Sequence, residues 1–326
     1  MRFPPIEPPG TKVVPPSAGA PLGVLAEVGG WLAACQGQWP PSPLQRPRVV
    51  LFAAAHGVVG LGVSADPPEA TAERVAAATA GSALVNQLAD AAGATVGVVD
   101  LTAEVSGRID QQDALTDEQV DAALMAGREA ADAEVDGGAD LLIAGELGVG
   151  ASTPAAAVVA ALTGVEPVAV VGRGGGAVGI DDATWMRKTV VIRDALRRAR
   201  AVRKQSGATD PAGLIGAIGG ADLAAIAGFL AQAAARRTPV LLDGLVVAAA
   251  ALLAEELAPG ARRWWLAAHG ADEPAHPLAM ERLGLRPLLQ LQLRLGTATG
   301  ALVALPVVRA AGALLAGQEP SSSGKA

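Results

Sequence analysis

The residue types that can do chemistry are densest in Gly145-Glu146-Leu147-Gly148-Val149-Gly150-Ala151-Ser152-Thr153-Pro154. Leu141 to Ala144 before it reads as a buried strand and Ala155 to Leu162 after it as a small-residue helix, so a glycine loop sits at the junction. Ser152 or Thr153 can act there as the helix N-cap, with Pro154 at the first helical position. Free backbone N–H groups then face an anion, most simply a phosphate. The plainer alternative is a tight strand-to-helix turn and nothing more. A turn alone does not explain Glu146: a carboxylate held inside a glycine loop at a strand end has little packing value, and is the candidate acid or base.

Other groups are weaker candidates. A second glycine loop, Gly172 to Gly176, follows an apolar run at Val168 to Val171 that reads as a strand. It lacks the G-x-G-x-x-G order and the acidic residue of a dinucleotide fold. Asp181 and Asp182 open the next helix as solvated caps or as a catalytic pair. Trp185, Thr189, Ile192 and Leu196 give that helix an apolar face, and Arg187, Lys188 and Arg193 flank it, which leaves Lys188 either a surface charge or a phosphate ligand. No G-x-S-x-G elbow is present, and Cys35 lies in an apolar helix-like context. His269 and His276 are separated by Pro274 with no carboxylate at ligand spacing, so neither a metal nor a cofactor is expected.

The elements that must position these groups alternate between strand and helix. Val49 to Ala54, Thr95 to Val99, Val240 to Leu242 and Trp264 to Ala268 read as further strands, and Glu69 to Ala92 as one long helix. Thr116 and Gln119 form a capping box for a helix that runs to Gly137-Gly138. Leu22 to Cys35, Leu223 to Ala235 and Leu245 to Leu257 complete the helices, and Lys204 to Gly213 reads as a polar loop. The expected fold is α/β: a Rossmann-like, mostly parallel sheet with helices on both faces and a small helical subdomain from the N- and C-terminal segments. Ligands then bind beyond the strands' carboxyl ends, which here carry His56, Asp100, Glu146, Arg173, Gly174, Asp243 and His269.

Composition narrows the partners. The 326 residues are 51% apolar and only 2% aromatic, and their formal charge of −7 comes with no basic cluster, which argues against nucleic acid. Residues 1–21 are Pro-rich and expected to form an extended arm, 22–317 one domain, and 318–326 a disordered tail. The longest uninterrupted apolar stretch, Leu245 to Ala254, falls short of the roughly 20 residues of a membrane span. With one cysteine and no signal-peptide pattern, a cytoplasmic location is expected.

The loop from Gly145 to Thr153 resembles the phosphate loop of the nicotinate-nucleotide:dimethylbenzimidazole phosphoribosyltransferase family. Similar to that family as well are Ala53 to Val58, Ile180-Asp181-Asp182 with Arg187-Lys188, Gly219 to Leu223, Pro239 to Gly244, Ala268-His269 through Glu273-Pro274, and Arg294-Leu295-Gly296 with Thr299-Gly300-Ala301. The resemblance covers about Leu22 to Leu315 in the family's order. It implies transfer of 5-phosphoribose from nicotinate mononucleotide to an aromatic base such as dimethylbenzimidazole. A phosphate clamp would comprise Gly148, Val149, Gly150, Ala151, Ser152 and Thr153, with further substrate contacts from Gly174, Lys188, Asp243, Gly244 and Ala271.

The chain also departs from that pattern. Thr297 stands where the family has a glutamate, followed by Ala298 in place of glycine. Ala55, Ala151 and Ala271 replace the family's Asp, Asn and Ser. The aromatic-base region carries Asp66, Glu73 and Arg74. Two readings follow: a phosphoribosyltransferase that uses Glu146 as its base, or a catalytically silent nucleotide-binding paralogue. The expected assembly is a homodimer, or a heterodimer with an active paralogue.

Overall fold

The computed structural model describes residues 3–10, 22–174, 179–206 and 210–316. Five strands, β1 (Pro47–His56), β2 (Thr95–Ser106), β3 (Leu141–Glu146), β4 (Val240–Leu242) and β5 (Trp265–Ala267), form one sheet in the order β2-β1-β3-β4-β5. Every neighbouring pair is parallel. One helix, α1 (Val24–Gln36), precedes β1; α2 (Ala70–Thr79) and α3 (Leu84–Ala92) link β1 to β2, and α4 (Asp117–Asp136) links β2 to β3. Between β3 and β4 run α5 (Ser152–Thr163), α6 (Pro167–Val170), α7 (Asp182–Ser206), α8 (Pro211–Ile218) and α9 (Ala221–Ala235). The chain continues through α10 (Gly244–Leu257), β5, α11 (Ala275–Leu283) and α12 (Thr299–Ala316).

Alternate strand residues feed two separate cores, as the two-residue period of a pleated strand requires. Val50, Phe52, Leu142, Ala144, Val240 and Leu242 pack into the layer that contains α4, α5, α9 and α10. Val49, Leu51, Leu141, Ile143 and Leu241 pack into the other, against α1, α3 and α12. The sheet is thus covered on both faces, and α1 with α12 forms the helical pair expected from the chain's two ends. By length and composition α12 could also cross a membrane; Pro306 and Arg309 interrupt its apolar run in sequence, and 56% of it is buried inside the fold.

Nearly aromatic-free layers of this kind pack by close helix approach. A Cβ at Gly127 of α4 would lie 1.7 Å from the Ala225 carbonyl oxygen of α9, and one at Gly228 of α9 would lie 2.2 Å from the Leu124 carbonyl oxygen of α4. Only glycine permits that crossing. Phe52 and Phe229 meet edge-to-face beside it, with centroids 5.4 Å apart.

Several expectations need correction. Val168 to Val171 is not a strand: Pro167, at a first helical position, starts the short helix α6. The long helix expected over Glu69 to Ala92 is two helices, because Gly81, with φ of 76°, turns the chain between them. The second strand runs past Asp100 to Ser106, which leaves Asp100 mid-strand opposite Ala53 and away from the carboxyl edge. Helix α7 extends to Ser206 through the start of the expected polar loop, and α8 begins at Pro211. Of the N-terminal arm, residues 3–10 form no regular element, and Phe3 and Ile6 pack on the core. Residues 11–21, the tail from 317, and Gly175 and Gly176 of the second glycine loop lie outside the described residues. The capping box stands as read: Thr116 Oγ1 accepts from the Gln119 N–H and Gln119 Oε1 from the Thr116 N–H.

Gly127→Ala is expected to cost about 2–3 kcal/mol, because backbone must move to admit the methyl. It would appear as a lower urea midpoint with an unchanged slope. An unchanged midpoint would show that α4 and α9 can separate freely.

Candidate functional site

The sheet's strand order switches direction between β1 and β3, and parallel sheets open a crevice at that point, beyond their carboxyl ends. The cleft found there has a volume of about 320 Å³. Glu146, Gly148, Val149, Gly150, Ala151, Ser152, Gly174, Lys188, Gly244, Ala271 and Thr297 all line it. Thr153 and Asp243 do not; both are buried behind its wall. A larger hollow of about 650 Å³, at the strands' opposite end beside Asp140 and Pro239, holds none of these residues.

The glycine loop is more specialised than an open row of donors. Its Gly148 N–H donates to Glu146 Oε1, and its Val149 N–H to Thr71 Oγ1 of α2 at 2.9 Å. The N–H groups of Gly150 and Ser152 have no acceptor among the described residues, and both stand at the N-terminus of α5, where the helix dipole favours an anion. The cap itself differs from expectation. Ala151 is the N-cap, Ser152 the first helical residue and Pro154 the third, which frees the Ser152 side chain to turn outward.

Lys188 Nζ donates to Ser152 Oγ at 2.9 Å, and the lysine is only 1% exposed. It is therefore no flanking surface charge. Burial pushes its pKa down, and the nearby Glu273 carboxylate works against that shift. Glu273 is raised in turn, by burial first, with Lys188 and Arg294 opposing. One of its oxygens, Oε2, is buried without a partner, and Gly172 makes room for it: a Cβ there would lie 1.6 Å away. Glu273 and Arg294 both line the cleft, yet sequence reading gave neither a role. The signal for Lys188 was present, since it falls three residues after Trp185 and four before Ile192, on the apolar face of α7.

Glu146 is half-buried on the cleft floor. Its pKa is driven well above the ordinary glutamate value, by burial first and then by the Asp222 carboxylate; the Gly148 N–H and the Arg74 charge oppose the shift. Asp222, in the first turn of α9, pairs with His56 at the end of β1 through Nε2 at 2.9 Å, and both side chains are buried.

On the far wall, Asp243 at the end of β4 accepts the Gly300 N–H at 2.8 Å and so caps the start of α12. Burial pushes its pKa up to about 6. That contact holds the segment Arg294 to Ala298 over the cleft, where Gly296 Cα approaches the position a Cβ on Gly244 would take to 3.1 Å. Thr297 projects from this segment. Ala298 holds φ at 63° while fully buried, a left-handed conformation that favours glycine. His269 Nε2 accepts the Leu291 N–H at 3.0 Å, so its neutral ring carries the proton on Nδ1. Burial lowers the pKa of His276 to about 4, with the charge of His269 as the lesser cause.

Comparison with known proteins identifies the family. The family model described as Phosphoribosyltransferase matches residues 12–324. The nicotinate-nucleotide–dimethylbenzimidazole phosphoribosyltransferase of Mycobacterium ulcerans is 56% identical over 309 residues, covering 90% of this chain and 84% of that protein. The enzyme of the same name from Mycobacterium tuberculosis is 55% identical, with 90% and 83% covered. The crystal structure of CobT from Thermus thermophilus superposes with a TM-score of 0.85 at 40% identity over 92% of each chain. The chain belongs to the nicotinate-nucleotide–dimethylbenzimidazole phosphoribosyltransferase family.

Proposed function

We propose that this phosphoribosyltransferase moves 5-phosphoribose from nicotinate mononucleotide to dimethylbenzimidazole, or a related lower-ligand base of cobalamin, within the cytoplasm. The observation that carries this reading is the meeting, in one cleft, of an anion site and a carboxylate: the Gly150 and Ser152 N–H groups with Ser152-Lys188, and Glu146 beside them. In this reading the nucleotide's phosphate occupies the anion site, held by the Gly150 and Ser152 N–H groups with Lys188 and not by the whole run Gly148 to Thr153, and this sets the ribose in place. An acceptor nitrogen attacks the anomeric carbon as the bond to the pyridinium nitrogen breaks. Nicotinate leaves without needing a proton, because that nitrogen carries the positive charge before the bond breaks. The acceptor's other ring nitrogen loses its N–H proton, and Glu146 takes it.

Incubation with nicotinate mononucleotide and dimethylbenzimidazole is expected to release nicotinate and form α-ribazole phosphate, and Glu146→Gln is expected to lower kcat by about 10²–10⁴-fold. A base must be ionised to act, so the wild-type rate should rise with pH through a midpoint above the ordinary glutamate range. No release alongside saturable nucleotide binding would favour the silent paralogue, a reading kept alive by the side chain of Thr297, which cannot accept a proton near neutral pH. Thr297→Glu is expected to raise kcat, by placing a second carboxylate on the cleft wall that Asp243's helix cap holds in place. An unchanged rate would mean that the acceptor pocket is adapted to working without it.

A further inference from the structure

The anion site uses the part of the cleft built by the loop after β3 and by α7. Much of the remaining lining comes from the connection between β1 and α3 and is apolar. Leu84, which opens α3, and Leu295, in the segment before α12, line the cleft while 52% and 50% exposed. Two large side chains left open in a cleft suit a flat aromatic ring, which covers them without asking for a hydrogen bond. One charged pair interrupts this lining. The Arg74 guanidinium donates to Asp66 Oδ2, with side chains 40% and 37% exposed. The Asp66 N–H donates to Ser64 Oγ at 3.2 Å, and α2, which carries Arg74, is docked on the glycine loop where Thr71 Oγ1 accepts the Val149 N–H at 2.9 Å. Among the described residues, the other guanidinium N–H groups and Asp66 Oδ1 have no hydrogen-bond partner.

We propose that the Asp66–Arg74 pair selects the acceptor: a benzimidazole-type ring lies against Leu84 and Leu295 and carries, on its carbocyclic edge, a hydroxyl that donates to Asp66 Oδ1 and accepts from Arg74. The ring's part in the reaction rests on the transferase reading above, whereas the preference in binding does not. In the empty cleft, water serves both charged groups. A ring that covers them must replace those hydrogen bonds, and a methyl substituent replaces neither. An amino group only donates, and a carboxylate only accepts while facing Asp66 with like charge. A hydroxyl is the small substituent that serves both members at once. The pair therefore discriminates against an edge bearing two methyl groups and favours one bearing a hydroxyl.

The test is a calorimetric titration of two bases of equal size, 5-hydroxybenzimidazole and 5-methylbenzimidazole, into the full chain, with ribose 5-phosphate present so that no transfer occurs. The hydroxy base is expected to bind about 10- to 100-fold tighter. Replacing both members of the pair, Asp66→Ala with Arg74→Met, should bring the two affinities within about threefold of each other, chiefly by weakening the hydroxy base. A half-exposed ion pair contributes little to stability, so this variant should fold, and thermal melting checks it. A loss of cleft shape alone would weaken both bases equally and keep their ratio. Equal or reversed affinities in the wild type, no binding of either base, or a ratio that survives in the double variant overturns the proposal. Should the double variant fail to fold, Arg74→Met decides alone: the ratio should fall by about threefold or more, and an unchanged ratio refutes the assignment. The titration needs no turnover. A selective protein that releases no nicotinate from nicotinate mononucleotide would sink the transferase reading and leave this result standing, whereas turnover of both bases at equal kcat/KM would do the reverse.

Discussion

The interaction on which the site depends is the burial of Lys188 against Ser152. Taking an ammonium out of water costs several kcal/mol, and here a single hydroxyl and the charge of Glu273 offset only part of that cost. Among the described residues the lysine therefore keeps unused donors, in the same cleft as the Gly150 and Ser152 N–H groups that have no acceptor there. Such a constellation is unfavourable when empty and favourable around an anion. Binding a phosphate would complete it without rearranging the fold, which is the physical meaning of a preorganised site.

Small residues make that geometry possible. The chain is 2% aromatic, and its helices approach through positions such as Gly127 and Gly228 where a methyl group would strike backbone. The same economy shapes the cleft: Gly172 yields space to Glu273, and Gly244 lets the segment bearing Thr297 lie close over the strand ends. Asp243 ties that segment down by capping α12 from behind the wall, so it stabilises the site's shape from outside the cleft. The charges that line the cleft fall accordingly into two groups, Lys188 with Glu273 and Arg294, and Glu146 with Arg74.

Much of this was legible in the sequence because parallel strands buried on both faces leave unbroken apolar runs, as at Val49 to Ala54 and Leu141 to Ala144, each closing on a polar residue. The glycine loop and its acidic residue followed from that frame. Val168 to Val171 was misread because four apolar residues carry no period, and the proline before them starts a helix as readily as it ends a loop. The depth of Lys188 and the contact from Thr71 to the loop arise from tertiary packing of α7 and α2, which spacing suggests for the lysine and does not reveal for the threonine. Asp100 misled because strand length past the apolar core is set by neighbours: its pairing with β1 continues where hydrophobicity has stopped.

Calorimetric titration of nicotinate mononucleotide into the wild-type protein and into Lys188→Met tests the account most directly. Lys188→Met removes the ammonium but leaves the buried Glu273 without that neighbour, so retention of the fold is checked first by circular dichroism and thermal melting. Saturable binding to the wild type is expected, weakened about 10- to 100-fold in Lys188→Met, the loss of a charge-assisted hydrogen bond. Equal affinity in the two proteins would contradict it, because the phosphate would then lie elsewhere than at the loop that follows β3.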